Sequence, residues 1–183
     1  MSPDEFTRLI SRKANEVKAY VNTRFPAQAG DTALRFINGN FRAQGWQGAT
    51  FQPWKSNKRG GRILVQKGHL RSASFYNTAP GMVVVRNALK YAAIHNEGGN
   101  VQIPVTDKMR KFAWAMYAKN GGKGKPKAER WKGLALTKKT YLNINVEQRQ
   151  FAPTERSPSP ILNAAVTRKI EKELKTIFPN INS

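Results

Sequence analysis

This chain has no cysteine, which excludes a disulfide framework and any thiolate-bound zinc. Histidine is nearly absent too, with His69 and His95 as the two examples. Acidic residues number eleven, and none of them falls between Asp31 and Glu97. Long apolar runs are also missing: no stretch approaches the length that crosses a bilayer, and the N-terminal MSPDEFTRLISRK lacks the apolar core of a signal peptide. These absences predict a protein made and used in the cytoplasm, with no membrane partner. No internal repeat and no heptad run of coiled-coil length occurs.

Positive charge is what the chain has in excess. Its 32 Lys and Arg give a net charge of +21 over 183 residues, so an anionic partner is expected, nucleic acid first and an acidic protein ring second. The acid-free interval holds Arg35, Arg42, Lys55, Lys58, Arg59, Arg62, Lys67, Arg71, Arg86 and Lys90, whose potential nothing nearby in the chain cancels. A second concentration, Lys119, Lys123, Lys125, Lys127, Arg130 and Lys132, is opposed locally by Glu129 alone. Within these clusters, Lys58, Arg59, Arg62, Lys123, Lys125 and Lys127 are the candidate contacts to nucleic acid or an acidic partner, because phosphate attraction needs only charge and reach.

Hydrophobic residues make up 39% of the chain and aromatics 10%, enough to fold despite a mean hydropathy of −0.60. The length suits one domain, residues 1–183, with a basic insertion at about 107–142. The predicted class is α+β: a small antiparallel sheet packed with a long N-terminal helix and a C-terminal helix, plus a basic Gly/Lys-rich protruding loop.

Phe6, Leu9, Ile10, Ala14, Val17, Val21 and Phe25 recur at helical spacing, with Ser2 or Asp4 as cap and Pro26 as the stop or bend. Residues 33–41 predict a second short helix, and 45–61 a Trp-bearing loop. The runs 63–65, 73–77 and 82–87 predict a meander, its last two strands joined by a turn at 78–81. A helix over 109–117, an exposed tip over 120–127, a strand over 141–146 and a final helix from Ile161 complete the reading.

Candidate chemistry is thin. His69, His95 and Glu97 hint at a metal nuclease, but phosphodiester cleavage with magnesium uses carboxylates to hold the ion, and the acid-free interval leaves Glu97 without company. The tip's glycines are followed by Lys125-Pro126, which has neither the spacing nor the hydroxyl of a phosphate-cradling loop. Trp46 and Trp54 are read as loop anchors or subunit contacts in preference to base-stacking platforms.

One set of short motifs carries more. Gly68, Leu70 and Ser72 form a corner after the apolar run at 63–65, and the turn Tyr91-Ala-x-Ile-His-Asn-x-Gly-Gly follows. Upstream stand Phe41, Gly45, Trp46 and Trp54; downstream stand Arg149, Gln150 and Phe151. In order and spacing this set resembles the phage virion-morphogenesis family, the tail-completion proteins of Mu-like and related tailed phages, with Gln150 where that family has proline.

The resemblance implies a structural protein of the virion, not an enzyme and without cofactor or metal, which completes the tail or joins head to tail. It further implies assembly in the host cytoplasm into a homo-oligomeric, commonly hexameric, ring that meets neck, tail-terminator or tail-tube proteins and touches packaged DNA without sequence preference. A closed ring needs two different adhesive surfaces on each subunit. Trp46, Trp54, Tyr91, Phe151, Ile161, Leu162, Val166, Ile170 and Leu174 are the candidates for core or subunit interface. The rival function is a free, basic nucleic-acid-binding protein.

Overall fold

The computed structural model describes residues 2–57 and 60–179. The chain is α+β, and it opens on one long helix, α1 (Pro3–Ala43). Ser2 caps it: its hydroxyl accepts from the Glu5 amide at 3.2 Å while the Glu5 carboxylate takes the Ser2 amide at 2.7 Å. This capping box satisfies two of the end donors that a helix otherwise leaves open.

One expectation fails inside α1, and so does the first half of another. Pro26 does not end the helix, and residues 33–41 are not a separate one. A proline removes one backbone hydrogen bond and crowds the preceding turn, at a cost of about 3 kcal/mol. Here tertiary burial outweighs that cost, since Tyr20, Pro26, Ala29 and Gly30 are all buried. Gly30, which reads in sequence as punctuation, is instead a close approach. A Cβ there would stand 2.5 Å from the Tyr76 ring, and the Tyr76 hydroxyl donates to Asp31 at 3.0 Å.

The remaining elements are β1 (Gly45–Gln47), β2 (Phe51–Pro53), α2 (His69–Ser72), β3 (Ser74–Ala79), β4 (Met82–Asn87), α3 (Ala92–Glu97), β5 (Gly99–Pro104), α4 (Asp107–Lys119), α5 (Pro126–Ala135), β6 (Tyr141–Val146) and α6 (Pro160–Ile177). Among the described residues the strands make three separate antiparallel pairs, β1–β2, β3–β4 and β5–β6. The expected meander loses its first strand: residues 63–65 form no strand and 63–64 make a turn, with Leu64 at a φ of 59°. The expected loop at 45–61 instead contains the β1–β2 pair.

The chain divides into two compact units, residues 1–97 with 148–183, and residues 98–147. In the first, the β3–β4 hairpin and α6 pack on α1. Its core is Ile37, Phe41, Trp54, Ile63, Leu70, Ala92 and Phe151. Phe41 meets the Trp54 ring edge-on at 5.5 Å and the Phe151 ring at 5.2 Å, and Trp46 meets Phe36 edge-on at 5.5 Å.

In the second unit, β5 and β6 pair in a register that sets Val101 opposite Ile144 and Ile103 opposite Leu142. Between them in sequence lies the hairpin of α4 and α5, which packs on the buried Ala113, Ala128 and Ala135 and an edge-on contact of Phe112 with Trp131 at 5.7 Å. The Arg110 guanidinium donates to the carbonyls of Ala135 and Thr137 at the end of α5. There it satisfies helix-end acceptors that would otherwise lack partners. The basic insertion expected at 107–142 falls within this unit.

Candidate functional site

Three of the motif residues, Phe41, Trp54 and Asn96, meet on one stretch of irregular backbone, residues 148–159, which itself carries Arg149, Gln150 and Phe151. Asn40, fully buried on α1, donates to the Phe151 carbonyl at 3.0 Å and accepts from the Gln47 amide at 3.1 Å. Asn96, near the end of α3, accepts from the Phe151 and Ala152 amides at 2.9 and 2.8 Å and donates to the Ala152 carbonyl at 3.2 Å. The Trp54 indole donates to the Gln150 carbonyl at 2.8 Å. Gln150 donates to the carbonyls of Ala152 and Ser157, and the Arg149 guanidinium to the Lys55 carbonyl. Ser159 caps α6 through the Leu162 amide at 3.1 Å and donates to the Gln47 carbonyl at 2.8 Å.

Buried side chains thus replace, around Phe151, the sheet ladder that an irregular segment lacks, so the Phe151 and Ala152 amides and the Gln150, Phe151 and Ala152 carbonyls stay bonded. The structural roles of Asn40, Gln150 and Ser159 do not emerge from sequence reasoning. A Ser before Pro at the start of an apolar-periodic run is the readable signal for Ser159, whereas Asn40 carries none.

The candidate interface residues divide by burial. Trp46, Trp54, Phe151 and Leu162 are buried, so they are core; Val166 and Ile170 are half-buried. Tyr91, Ile161 and Leu174 are exposed, at 45%, 48% and 36%. Phe6 and Ile10 on α1 are exposed as well, at 52% and 50%.

The cationic candidates also divide. Lys58 and Arg59 lie outside the described residues. Arg62 donates to the carbonyls of Phe41 and Arg42 at 3.2 and 3.4 Å, so its guanidinium is engaged at the C-terminus of α1 and complements the helix dipole. Lys123, Lys125 and Lys127 are exposed around Gly121, Gly122 and Gly124, all three at positive φ. The tip is shorter than the sequence implies, because Pro126 starts α5 and Lys127 already lies on it. The second unit carries eleven Lys and Arg against Asp107, Glu129 and Glu147, a net charge of +8.

His95 belongs to the first unit. An open cavity of about 370 Å³ is lined by Leu64, Gln66, Lys67, Gly68, His69, Leu70, Tyr91 and His95. The His95 Nδ1 is buried and has no hydrogen-bond partner among the described residues, and the Tyr91 ring meets the imidazole edge-on at 5.8 Å. Burial, and then the Arg149 charge, hold the imidazole below its ordinary value, since a proton there would be charged and poorly solvated. The structure places His69 and His95 on one cavity but adds no carboxylate to its lining. Among the described residues, no group of three or more His, Asp or Glu is placed to hold a metal ion, and no helix is long and apolar enough to cross a membrane. Compared with protein-family models, curated proteins and solved structures, the chain finds no match in any of the three.

Proposed function

We propose that this chain is a structural subunit of a tailed-phage particle, acting at the neck or tail end to complete the tail or join head to tail, and assembling as a ring. One observation carries the reading: how the large apolar side chains divide. Phe41, Trp46, Trp54 and Phe151, which bear the resemblance to the virion-morphogenesis family, fill the interior. Phe6, Ile10, Ile161 and Leu174, on the two long helices, stay exposed. A monomer gains nothing from apolar side chains left in water along its helices, whereas an assembling subunit buries them against a neighbour.

The test is electron microscopy of lysate from a phage deleted for this chain. Filled heads and finished tails that remain unjoined are expected. Normal infectious particles, or a block before heads or tails form, would overturn the role.

The charge of the second unit favours a second reading, a free nucleic-acid-binding protein. Sequence-independent binding to duplex DNA by a strictly monomeric chain, with particles that are infectious without it, selects that reading instead.

A further inference from the structure

The first turns of α1 form an arm whose side chains make only local hydrogen bonds and ion pairs among the described residues. From Ser2 to Glu16 these are the Ser2–Glu5 box, Thr7 to the Pro3 carbonyl, and Arg12 and Lys13 to Glu16. The bonds that tie α1 to α6 come later, from the Tyr20 hydroxyl to the Lys169 carbonyl and from Arg24 to Glu173. From residue 2 to residue 12 every side chain is exposed except the half-buried Leu9. This end of α1 presents Phe6 and Ile10 one turn apart, on the same face and half in water. Its tip carries Asp4 and Glu5, two of the chain's eleven acids.

The cavity beside His95 has complementary chemistry. Leu64, Leu70 and Tyr91 give it an apolar wall, and Lys67 and His69 give it a basic one. It lies within the interval that contains no acid at all, so a carboxylate for Lys67 has to come from elsewhere. Asp4 suits that role, because Glu5 is already committed to the capping box.

We propose that the α1 arm of one copy docks into this cavity on a second copy, with Phe6 and Ile10 against Leu64, Leu70 and Tyr91, and Asp4 facing Lys67. Arm and cavity are different surfaces, so the contact is heterologous and repeats from copy to copy; this either closes a ring or extends a filament. The docking supplies the subunit contact for the ring inferred above, and it rests on that reading only for its setting in the particle.

The test is sedimentation of the full chain with circular dichroism as a folding control. Asp4→Lys and Lys67→Glu should each weaken self-association about tenfold or more by setting like charges together. The two single variants mixed in equal amounts should associate like the unchanged chain, as should the double variant, because opposite charges then meet again between arm and cavity. Phe6→Ser with Ile10→Ser should abolish association while helicity is kept. Association that ignores these changes, or singles that the mixture does not rescue, would overturn the docking. Incorporation of the unchanged chain into purified particles, read by mass spectrometry, separates the two ideas. A chain present in particles but indifferent to the charge swaps refutes the arm contact alone, and one that associates through the arm but is absent from particles refutes the neck reading alone.

Discussion

The two units differ in which apolar side chains fill their interiors. In residues 1–97 with 148–183, one set of aromatic rings fills the interior: Tyr20, Phe41, Trp46, Trp54 and Phe151 are buried while Phe6, Phe51, Phe75 and Tyr91 stay exposed, and Asn40 and Asn96 bond the backbone that passes between them. In residues 98–147 the buried apolar side chains are alanines, while Phe112, Trp114, Leu136 and Tyr141 are exposed alongside eleven basic residues. Burying a large side chain stabilises by about 1.5–3 kcal/mol and burying a methyl by far less. The first unit therefore draws its stability from large side chains in its own interior, although others stay exposed on α1 and α6, whereas the second buries small ones. The two units thus differ in what fills their interiors, while both leave large apolar side chains at the surface.

The largest break in this comparison is removal of α6. Ending the chain at Ser159 deletes the buried Leu162 and Ile177 and the half-buried Val166 and Ile170, a loss comparable with a domain's usual margin of about 5–15 kcal/mol. Circular dichroism and light scattering should find this truncated chain unfolded or aggregated. A folded, soluble truncation would mean that α6 is not part of the scaffold.

Next comes the polar lock. Asn96→Leu strips the Phe151 and Ala152 amides of their acceptor without leaving a hole, and each buried group left unsatisfied costs about 1–3 kcal/mol. Urea unfolding should show a drop of about 2–5 kcal/mol. A change under about 0.5 kcal/mol, the size of an ordinary surface substitution, would show that the segment at 148–159 is held by packing alone.

A smaller effect is expected from pH. His95 is held below its ordinary value of 6.5 by burial and by Arg149, so the unfolded chain takes up a proton first as pH falls. Its contribution to stability is complete above about 6.5 and is lost in the window below, down to the folded-state value. His95→Phe should flatten stability across that window in thermal melts at a series of pH values. An unchanged slope would assign the pH dependence to other groups.

The smallest effect on stability, and the one that sharpens the contrast, belongs to the tip. Lys123, Lys125 and Lys127 changed together to Gln should leave thermal stability within about 0.5 kcal/mol, since all three are exposed. If they touch phosphates, the salt dependence of duplex-DNA binding should flatten by about 0.9 in log–log slope for each phosphate no longer neutralised. DNA binding unchanged alongside failed incorporation into particles would move these lysines to an acidic protein partner.

Local pattern makes some elements readable. The apolar stripe and Ser-Pro start of α6, the hairpin turn between β3 and β4, and the strand at 141–146 each follow from spacing within a few residues. The candidate site is harder to read, because its parts are assigned by distant neighbours. Nothing beside Arg62 in the chain shows that its guanidinium will close the end of α1, and nothing beside Trp46 or Trp54 separates a core ring from an interface ring. Gly30 and Pro26 carry their usual local meaning and are overridden, Gly30 by the Tyr76 ring seated against it and Pro26 by its burial.

By itself, then, the sequence determined the α+β class, the places of β3, β4, α4, β6 and α6, the strong positive charge and its acid-free interval, because propensity, periodicity and charge are local or additive. Only the tertiary structure decided that α1 runs unbroken through Pro26, that β5 pairs with β6 across the α4–α5 hairpin, and that Asn40 and Asn96 hold the Phe151 segment. Those outcomes depend on which surfaces meet. A buried amide or a prolonged helix is stable only when long-range packing supplies the partner or the burial that outweighs its local cost.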